Sequence, residues 1–348
     1  MFTLVCRSTV DSGRWNQAVV RLIGCPFHSY EWSRFSSENN GRPALYFALR
    51  DSAGEIVAQS YGLAENKLFA RLPRFRILSF GSLPAYKDPF ALREMMRQVQ
   101  VFGAQQGFMA VEWNSFGTPR ACRLADIPRN SIGQRRWEFV VDLERSEENL
   151  WESLHGKKRN LIRKAVNSAL RIETAQDISQ ILLYRSLAEE TWRRKCNAGI
   201  PFPAPAGEDY FKRVKRMLID KKIGRMVLAY DGPRPVAGAL FVGFNQSAYY
   251  VISAANETGL KMSAPDLVLW KTMTAYLQEG YKTFNLGGLS EHELGNDPLE
   301  QSGLYHFKKR FCAEVHECYK SLSVIRPREQ RVYGRLAPLK SKIRRFFP

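Results

Sequence analysis

The sequence predicts a mixed α/β protein of two tandem lobes, each a mixed but mostly antiparallel sheet flanked by helices. Three observations lead there. The chain has 348 residues, about twice an ordinary domain. Its 45% apolar and 12% aromatic content supplies material for two cores and excludes a disordered or collagen-like chain. An order of helix, antiparallel hairpin, strand, helix and strand is written in both halves.

In the first half, the β-like runs Ala44 to Leu49 and Glu55 to Tyr61 flank the turn Asp51-Ser52-Ala53-Gly54 and read as a hairpin. Ile77 to Gly81 is strand-like. Pro89 to Gly107 carries Leu92, Met95, Met96, Val99 and Phe102 at helical spacing, and Met109 to Trp113 is a strand after it. A junction is expected near Val141 to Glu148, so the lobes are read as residues 1–148 and 149–318, with 319–348 returning to the first. Asn149 to Leu170 reads as one helix that Gly156 could break. Ile178 to Asn197 and Tyr210 to Lys221 are helical. Met226 to Tyr230 and Pro235 to Phe244 form a hairpin about Asp231 to Arg234. Ala248 to Ala254 is a strand, Asp266 to Gly280 a helix, and Thr283 to Leu286 a strand.

Fifty-two Lys and Arg against 34 Asp and Glu leave a net charge of +18, a field that concentrates polyanions. The bases cluster in the second half. Six lie between Lys157 and Arg171 with no acid among them. Others run from Arg193 to Arg225 and over Lys308, Lys309 and Arg310, and the segment from Arg326 onward holds eight, Arg326 included, against Glu329 alone. The longest apolar stretches, such as Ala237 to Phe244, fall far short of the roughly 20 residues of a membrane span. The opening MFTLVCRSTVDSG lacks a basic leader, so a cytoplasmic location is expected. The six cysteines form no C-x-x-C pair and the five histidines complete no zinc spacing; reduced thiols and no metal are expected. There is no G-x-S-x-G elbow and no Cys/His pairing, which argues against a nucleophile-based hydrolase.

Several segments resemble one family. LWESLHGKKRNLIRKAVNSALRIE, TWRRK, GALFVGFNQSAYYVISAAN and SAPDLVLWKTMTAYLQEGYKTFNLGG followed by GLYHFKKRF resemble the Fem-type aminoacyltransferases and related acetyltransferases of the GNAT superfamily. The resemblance covers residues 151 to 318. PFHSYEW, GEIVAQ and the helix after Pro89 carry it more faintly over residues 20 to 145. It implies two GNAT-like lobes, with the C-terminal chain returning to the first. It also implies transfer of an aminoacyl group from aminoacyl-tRNA to an amine, typically on a peptidoglycan precursor. An acyl-CoA-dependent N-acyltransferase of the same fold, acting in envelope polysaccharide or small-molecule biosynthesis, is the alternative. A catalytically silent RNA- or membrane-binding member is a third reading.

The resemblance also assigns residues. Lys308, in the Phe307-Lys308 pair, would stabilise charge on the ester carbonyl oxygen, and a β-like alternation would turn Lys309 away from the site. Arg194 of the TxxR match would hold an acceptor phosphate or carboxylate, where its bidentate fork suits either group. Tyr210 and Tyr250 would line the same cleft. Lys157, Lys158, Arg159, Arg163, Lys164, Lys261, Lys309 and Arg310 are the candidate tRNA contacts. Trp192, Tyr249, Tyr250 and Trp270 are available for stacking an unpaired 3′ end, with helical spacing favouring a core role for Trp270. Asp297 and Glu300 could take a proton from the acceptor ammonium.

The superfamily's glycine-rich pyrophosphate loop survives only as Gly259 to Pro265. Pro265 removes one amide donor and Asp266 would oppose an anion, which favours tRNA over coenzyme A as donor. No cofactor beyond the donor is expected, and the acceptor is an amine that is itself anionic. In the tail, Leu339, Ile343 and Phe346 recur among Lys340, Lys342, Arg344 and Arg345. Such a pattern suits either an interfacial helix on an anionic membrane or a helix docked on the first lobe.

Overall fold

The computed structural model describes residues 2–66, 75–115, 117, 131–200, 202–290 and 303–346. The chain divides into two compact units, residues 1–136 with 317–348, and residues 137–316.

The first unit opens with β1 (Thr3–Arg7), α1 (Ser12–Arg21) and α2 (Tyr30–Asn40), followed by β2 (Ala44–Arg50), β3 (Ile56–Asn66), β4 (Arg76–Phe80), β5 (Ala85–Tyr86), α3 (Pro89–Gln105) and β6 (Ala110–Asn114). Its sheet runs β1-β2-β3-β4-β6 and ends on the returning strand, with β5 against β3. The first four strands are antiparallel neighbours, whereas β4 and β6 run parallel. The spacing read in α3 is realised: Leu92, Met95, Met96 and Val99 are buried against Phe47, Leu78, Phe80 and Trp113. Asp88 caps the helix by accepting from the Phe90 and Ala91 amides, with Pro89 in the first turn, where a missing N–H costs nothing.

The passage between units lies inside β7 (Ser131–Asp142), twelve residues before the junction expected at 148. The polar segment after Val141 is the cap of a helix: Ser146 accepts from the Asn149 amide. The expected single helix 149–170 is two, α4 (Glu147–Ser153) and α5 (Gly156–Asn167). Leu154 is extended, and the His155 ring accepts from the Lys157 amide, so the break is a capped restart at Gly156.

The second unit continues through β8 (Arg171–Thr174), α6 (Ile178–Asn197), α7 (Glu208–Val214), β9 (Gly224–Asp231), β10 (Arg234–Phe244), β11 (Ser247–Ala255), α8 (Glu257–Lys261), α9 (Ala264–Gln278), β12 (Thr283–Ser290) and α10 (Gly303–Lys309). After α7 the chain widens into a π turn over Lys215–Ile219, where a continuous helix was expected. The sheet order is β7-β12-β11-β10-β9-β8; β8 to β11 are antiparallel neighbours, while β11 and β12 are parallel. The largest core cluster lies here, Phe241, Leu267, Met273, Tyr276 and Phe284 among its members. α10 is a helix where strand-like alternation was expected after Phe307. The chain then re-enters the first unit within β13 (Glu314–Val324), antiparallel to β6, and ends in α11 (Pro327–Phe346). The apolar and basic side chains read at 339–346 lie outside the described ones.

Candidate active site

The site grows from a fault in the second sheet. β11 and β12 pair in parallel at Ser247–Thr283, Ala248–Phe284 and Tyr249–Asn285. Both strands then run on, to Ala255 and Ser290, with no further ladder pairing between them among the described residues.

Gly287 sits at this divergence with φ +78°, a left-handed conformation that glycine adopts without a Cβ clash. The Asn285 Oδ1 accepts its amide at 2.8 Å. Asn285 Nδ2 in turn donates to Glu138 Oε2 at 3.0 Å, and Tyr249 Oη donates to Glu138 Oε1 at 3.0 Å. Glu138 is 1% exposed. The next residue, Gly288, offers its carbonyl to Lys308 Nζ at 3.0 Å. The late Gly-Gly and the Phe-Lys pair, separate in sequence, are therefore one assembly. Lys308 is 5% exposed and held on a backbone oxygen, so it is a fixed cation, where a mobile one was expected. Lys309, one helical step on, is exposed and donates to the Ala313 carbonyl at 3.2 Å; helical phase, and not strand alternation, turns it away.

The second correction concerns Lys158. Expected on an RNA-facing surface, it is 1% exposed. Its ammonium donates to the Asp266 carboxylate and lies 4.1 Å and 4.3 Å from the ring centroids of Phe307 and Phe311. Burial lowers its pKa, with Asp266 acting in the opposite direction. Position on α5 explains the difference: Lys158, Ile162 and Ala165 form the buried face, while Lys157, Arg163 and Lys164 are exposed. Arg159 donates to the Glu152 carbonyl, Arg163 lies over Trp151, and Arg310 is close enough to oppose the Lys158 charge.

The segment corresponding to a pyrophosphate loop is occupied by its own structure. Asn256 Oδ1 takes the Gly259 amide at 2.9 Å, and the amides of Leu260, Met262, Ser263, Asp266 and Leu267 donate to carbonyls between Asn256 and Ser263. A Cβ on Gly259 would lie 2.1 Å from the Val236 carbonyl oxygen; this glycine serves close packing on β10. The carboxylate near the start of α9 is that of Asp266, paired with Lys158. Lys261, in α8, is exposed.

The TxxR match is a clamp. Thr191 Oγ1 both donates to the Ala255 carbonyl and accepts the Ala255 amide, at 3.0 and 3.1 Å, and Arg194 donates to the same carbonyl at 2.7 Å. Arg194 also lines a cleft of about 540 Å³ with Arg193, Arg234, Glu190, Asp231 and Glu257 among its neighbours. Tyr210 and Tyr250 are half-buried and both act electrostatically on the buried Tyr184 phenol. Burial pushes the pKa of each up to about 12, keeping both as hydrogen-bond donors. Of the aromatics considered for stacking, Tyr249 and Trp270 are core residues, Tyr249 on Glu138 and Trp270 edge-on to Trp151; Trp192 is half-buried. Asp297 and Glu300 lie outside the described residues, as does Cys122. Among the described residues no three His, Cys, Asp or Glu side chains are grouped to hold a metal ion, and no helix is long and apolar enough to cross a membrane.

Glu138 escaped the sequence reading, although it is a lone charge inside the apolar run Trp137-Glu138-Phe139-Val140-Val141. A charge placed so in a strand is a sign of a partnered buried group.

Residues 154–309 match the family model described as the acetyltransferase (GNAT) domain. The structure of FemX superposes with a TM-score of 0.73 at 13% identity, over 96% of this chain and all of that one. A conserved protein of unknown function from Bacteroides thetaiotaomicron gives 0.61 at 11%, over 92% and 99%. The C-terminal domain of a putative lysylphosphatidylglycerol synthetase from Agrobacterium fabrum gives 0.54 at 11%, over 93% and 98%. No curated protein sequence matches. The structure has a GNAT-like fold, with the acetyltransferase (GNAT) domain matched over residues 154–309. The fold of the chain as a whole is similar to that of FemX.

Proposed function

We propose that this protein is a non-ribosomal aminoacyltransferase that moves an aminoacyl group from aminoacyl-tRNA to the amine of an anionic acceptor, a peptidoglycan precursor being the model case. The observation that carries the reading is the spent loop between Asn256 and Leu267. The amides of Gly259, Leu260, Met262, Ser263, Asp266 and Leu267 are engaged internally and its buried carboxylate is Asp266, which disfavours a coenzyme A pyrophosphate there. The +18 charge supports a donor richer in phosphate, and the FemX fold supports aminoacyl chemistry. The same reading places the reaction in the cytoplasm and requires no cofactor beyond the donor.

In this reading the acceptor nitrogen attacks the ester carbonyl carbon. A C–N bond forms, the C–O bond to the tRNA ribose breaks, and the ammonium proton ends on the departing ribose oxygen. The ester is already activated, so positioning and oxyanion stabilisation suffice. Lys308 supplies the positive charge and Phe307 packs beside it. Arg194, Tyr210 and Tyr250 bind the acceptor. Lys157, Arg159, Arg163, Lys164, Lys261, Lys309 and Arg310 meet the RNA, and the basic tail helix α11 gives peripheral contact with an anionic membrane. Incubation with labelled aminoacyl-tRNA or, separately, labelled acetyl-CoA and an extract of small metabolites tests the reading. Label from the tRNA in an RNase-resistant amide is expected; label from acetyl-CoA alone would establish the N-acetyltransferase alternative.

A further inference from the structure

We infer that Glu138 is a positioning residue for Lys308, acting through Asn285 and the Gly287-Gly288 backbone. The inference rests on the role given to Lys308 in the proposed reaction, but its geometry stands independently. The links are Glu138 Oε2 to Asn285 Nδ2 at 3.0 Å, Asn285 Oδ1 to the Gly287 amide at 2.8 Å, and Gly288 carbonyl to Lys308 Nζ at 3.0 Å. A carboxylate accepts on both oxygens and donates from neither. Both Tyr249 and Asn285 must therefore present donors to Glu138, and this fixes which end of the Asn285 amide faces Gly287. That end is the carbonyl, the only one able to take the Gly287 N–H. With its amide anchored, Gly287 holds its left-handed φ of +78°, and the following carbonyl stays aimed at Lys308. The three side chains come from adjacent strands, β7, β12 and β11, and Glu138 and Asn285 are 1% and 7% exposed. Water has little opportunity to replace a lost link.

Leucine at position 138 breaks the chain at similar size, since it accepts from neither Tyr249 nor Asn285. Nothing then fixes the Asn285 amide, which can turn over and offer N–H to the Gly287 N–H. Glutamine is the conservative control: its oxygen takes Asn285 and its nitrogen donates to the Tyr249 hydroxyl, which accepts as well as donates, so the chain stays intact. The double variant E138Q/N285D likewise keeps each bond of the chain, with the carboxylate moved by one place. The introduced glutamine accepts from Tyr249 and donates to the introduced aspartate, whose other oxygen accepts from Gly287.

The test uses the full chain and two readouts: single-turnover transfer at saturating aminoacyl-tRNA, and labelling of Lys308 by an amine-reactive ester, followed on its peptide by mass spectrometry. Glu138→Leu is expected to slow turnover by about 10-fold with donor affinity within about 2-fold, a signature of lost transition-state stabilisation, whereas Glu138→Gln should stay within about 2-fold of wild type. In Glu138→Leu, Lys308 labelling should rise by roughly 3-fold or more as its carbonyl anchor loosens, and E138Q/N285D should be spared most of both effects, because its hydrogen-bond chain is complete. Tyr249→Phe removes a bond to the same carboxylate yet leaves Asn285 oriented; it should lower the Tm while Lys308 labelling changes by less than about 2-fold. Should Glu138→Leu fail to fold, Asn285→Ala cuts the same chain and must raise Lys308 labelling. Unchanged labelling in either of these two variants overturns the inference. Absence of transfer by the wild type, with the labelling pattern as expected, would instead refute the aminoacyltransferase reading and leave the positioning role intact.

Discussion

Replacing Lys158 by methionine separates a buried structural cation from an RNA contact. The Lys158 side chain is 2% exposed and that of its partner Asp266 is 11% exposed. Methionine keeps a similar stem against Phe307 and Phe311 but leaves the Asp266 carboxylate uncompensated. Removing one partner of a buried ion pair costs about 3–5 kcal/mol. For a unit of about 180 residues, each kcal/mol moves Tm by roughly 2–4 °C, so a fall on the order of 10 °C is expected. K158M/D266L, which removes both charges, should recover most of the loss, because the desolvation penalty goes with them. The pH dependence has a definite sign. Burial holds the Lys158 pKa below its ordinary 10.5, so between the two values the unfolded chain binds more protons than the folded one. Wild-type stability therefore rises with pH through that window, and K158M lacks this rise. Urea titrations of wild type, both single variants and the double variant over pH 7 to 10 measure all of this. A K158M protein within about 0.5 kcal/mol of wild type, a value usual for surface substitutions, with weakened RNA binding would show that Lys158 reaches solvent and would refute the reasoning.

Lys308→Met should lower single-turnover transfer by on the order of 10²-fold, whereas Lys309→Met, on the exposed face of α10, should alter only RNA affinity and its salt dependence; equal rates for wild type and Lys308→Met would remove Lys308 from the mechanism. Gly287→Ala meets nothing closer than 3.5 Å, so its cost is the left-handed backbone alone, about 1–2 kcal/mol; a destabilisation above about 3 kcal/mol in urea, the range of cavity or clash effects, would contradict this. His28 is buried, with its Nε2 on the Leu83 carbonyl and its Nδ1 accepting the Cys25 amide, and burial lowers its pKa from 6.5 to about 4. The unfolded chain binds the extra proton between those values, so the first unit should lose roughly 3 kcal/mol as pH falls from 6.5 to 4; His28→Asn unfolding with the same pH slope would exclude it as the cause.

Much of this architecture is legible without coordinates. The spacing of Leu92, Met95, Met96 and Val99 defines α3 because one helical face must be apolar to meet a sheet. Ile178 to Asn197 is bounded as read, since Asp177 and Gln180 form a capping box there. The turn residues at Asp51 to Gly54 and Asp231 to Arg234 mark both hairpins, and the Gly-Gly and Phe-Lys motifs are segments that the fold brings into contact. What the sequence leaves undetermined is which charge is buried. Lys157 and Lys158, like Lys308 and Lys309, are identical neighbours in sequence, yet one of each pair is buried and the other exposed. Helical phase decides this, and phase depended on capping at His155 and on α10 being a helix. Asp266, Glu138 and Asn285 acquired their meaning the same way, since their partners lie 108 to 147 residues away along the chain. Local pattern records the periodicity of burial, which each segment carries alone; the pairing of buried charges needs two distant segments, and only the folded chain brings them together.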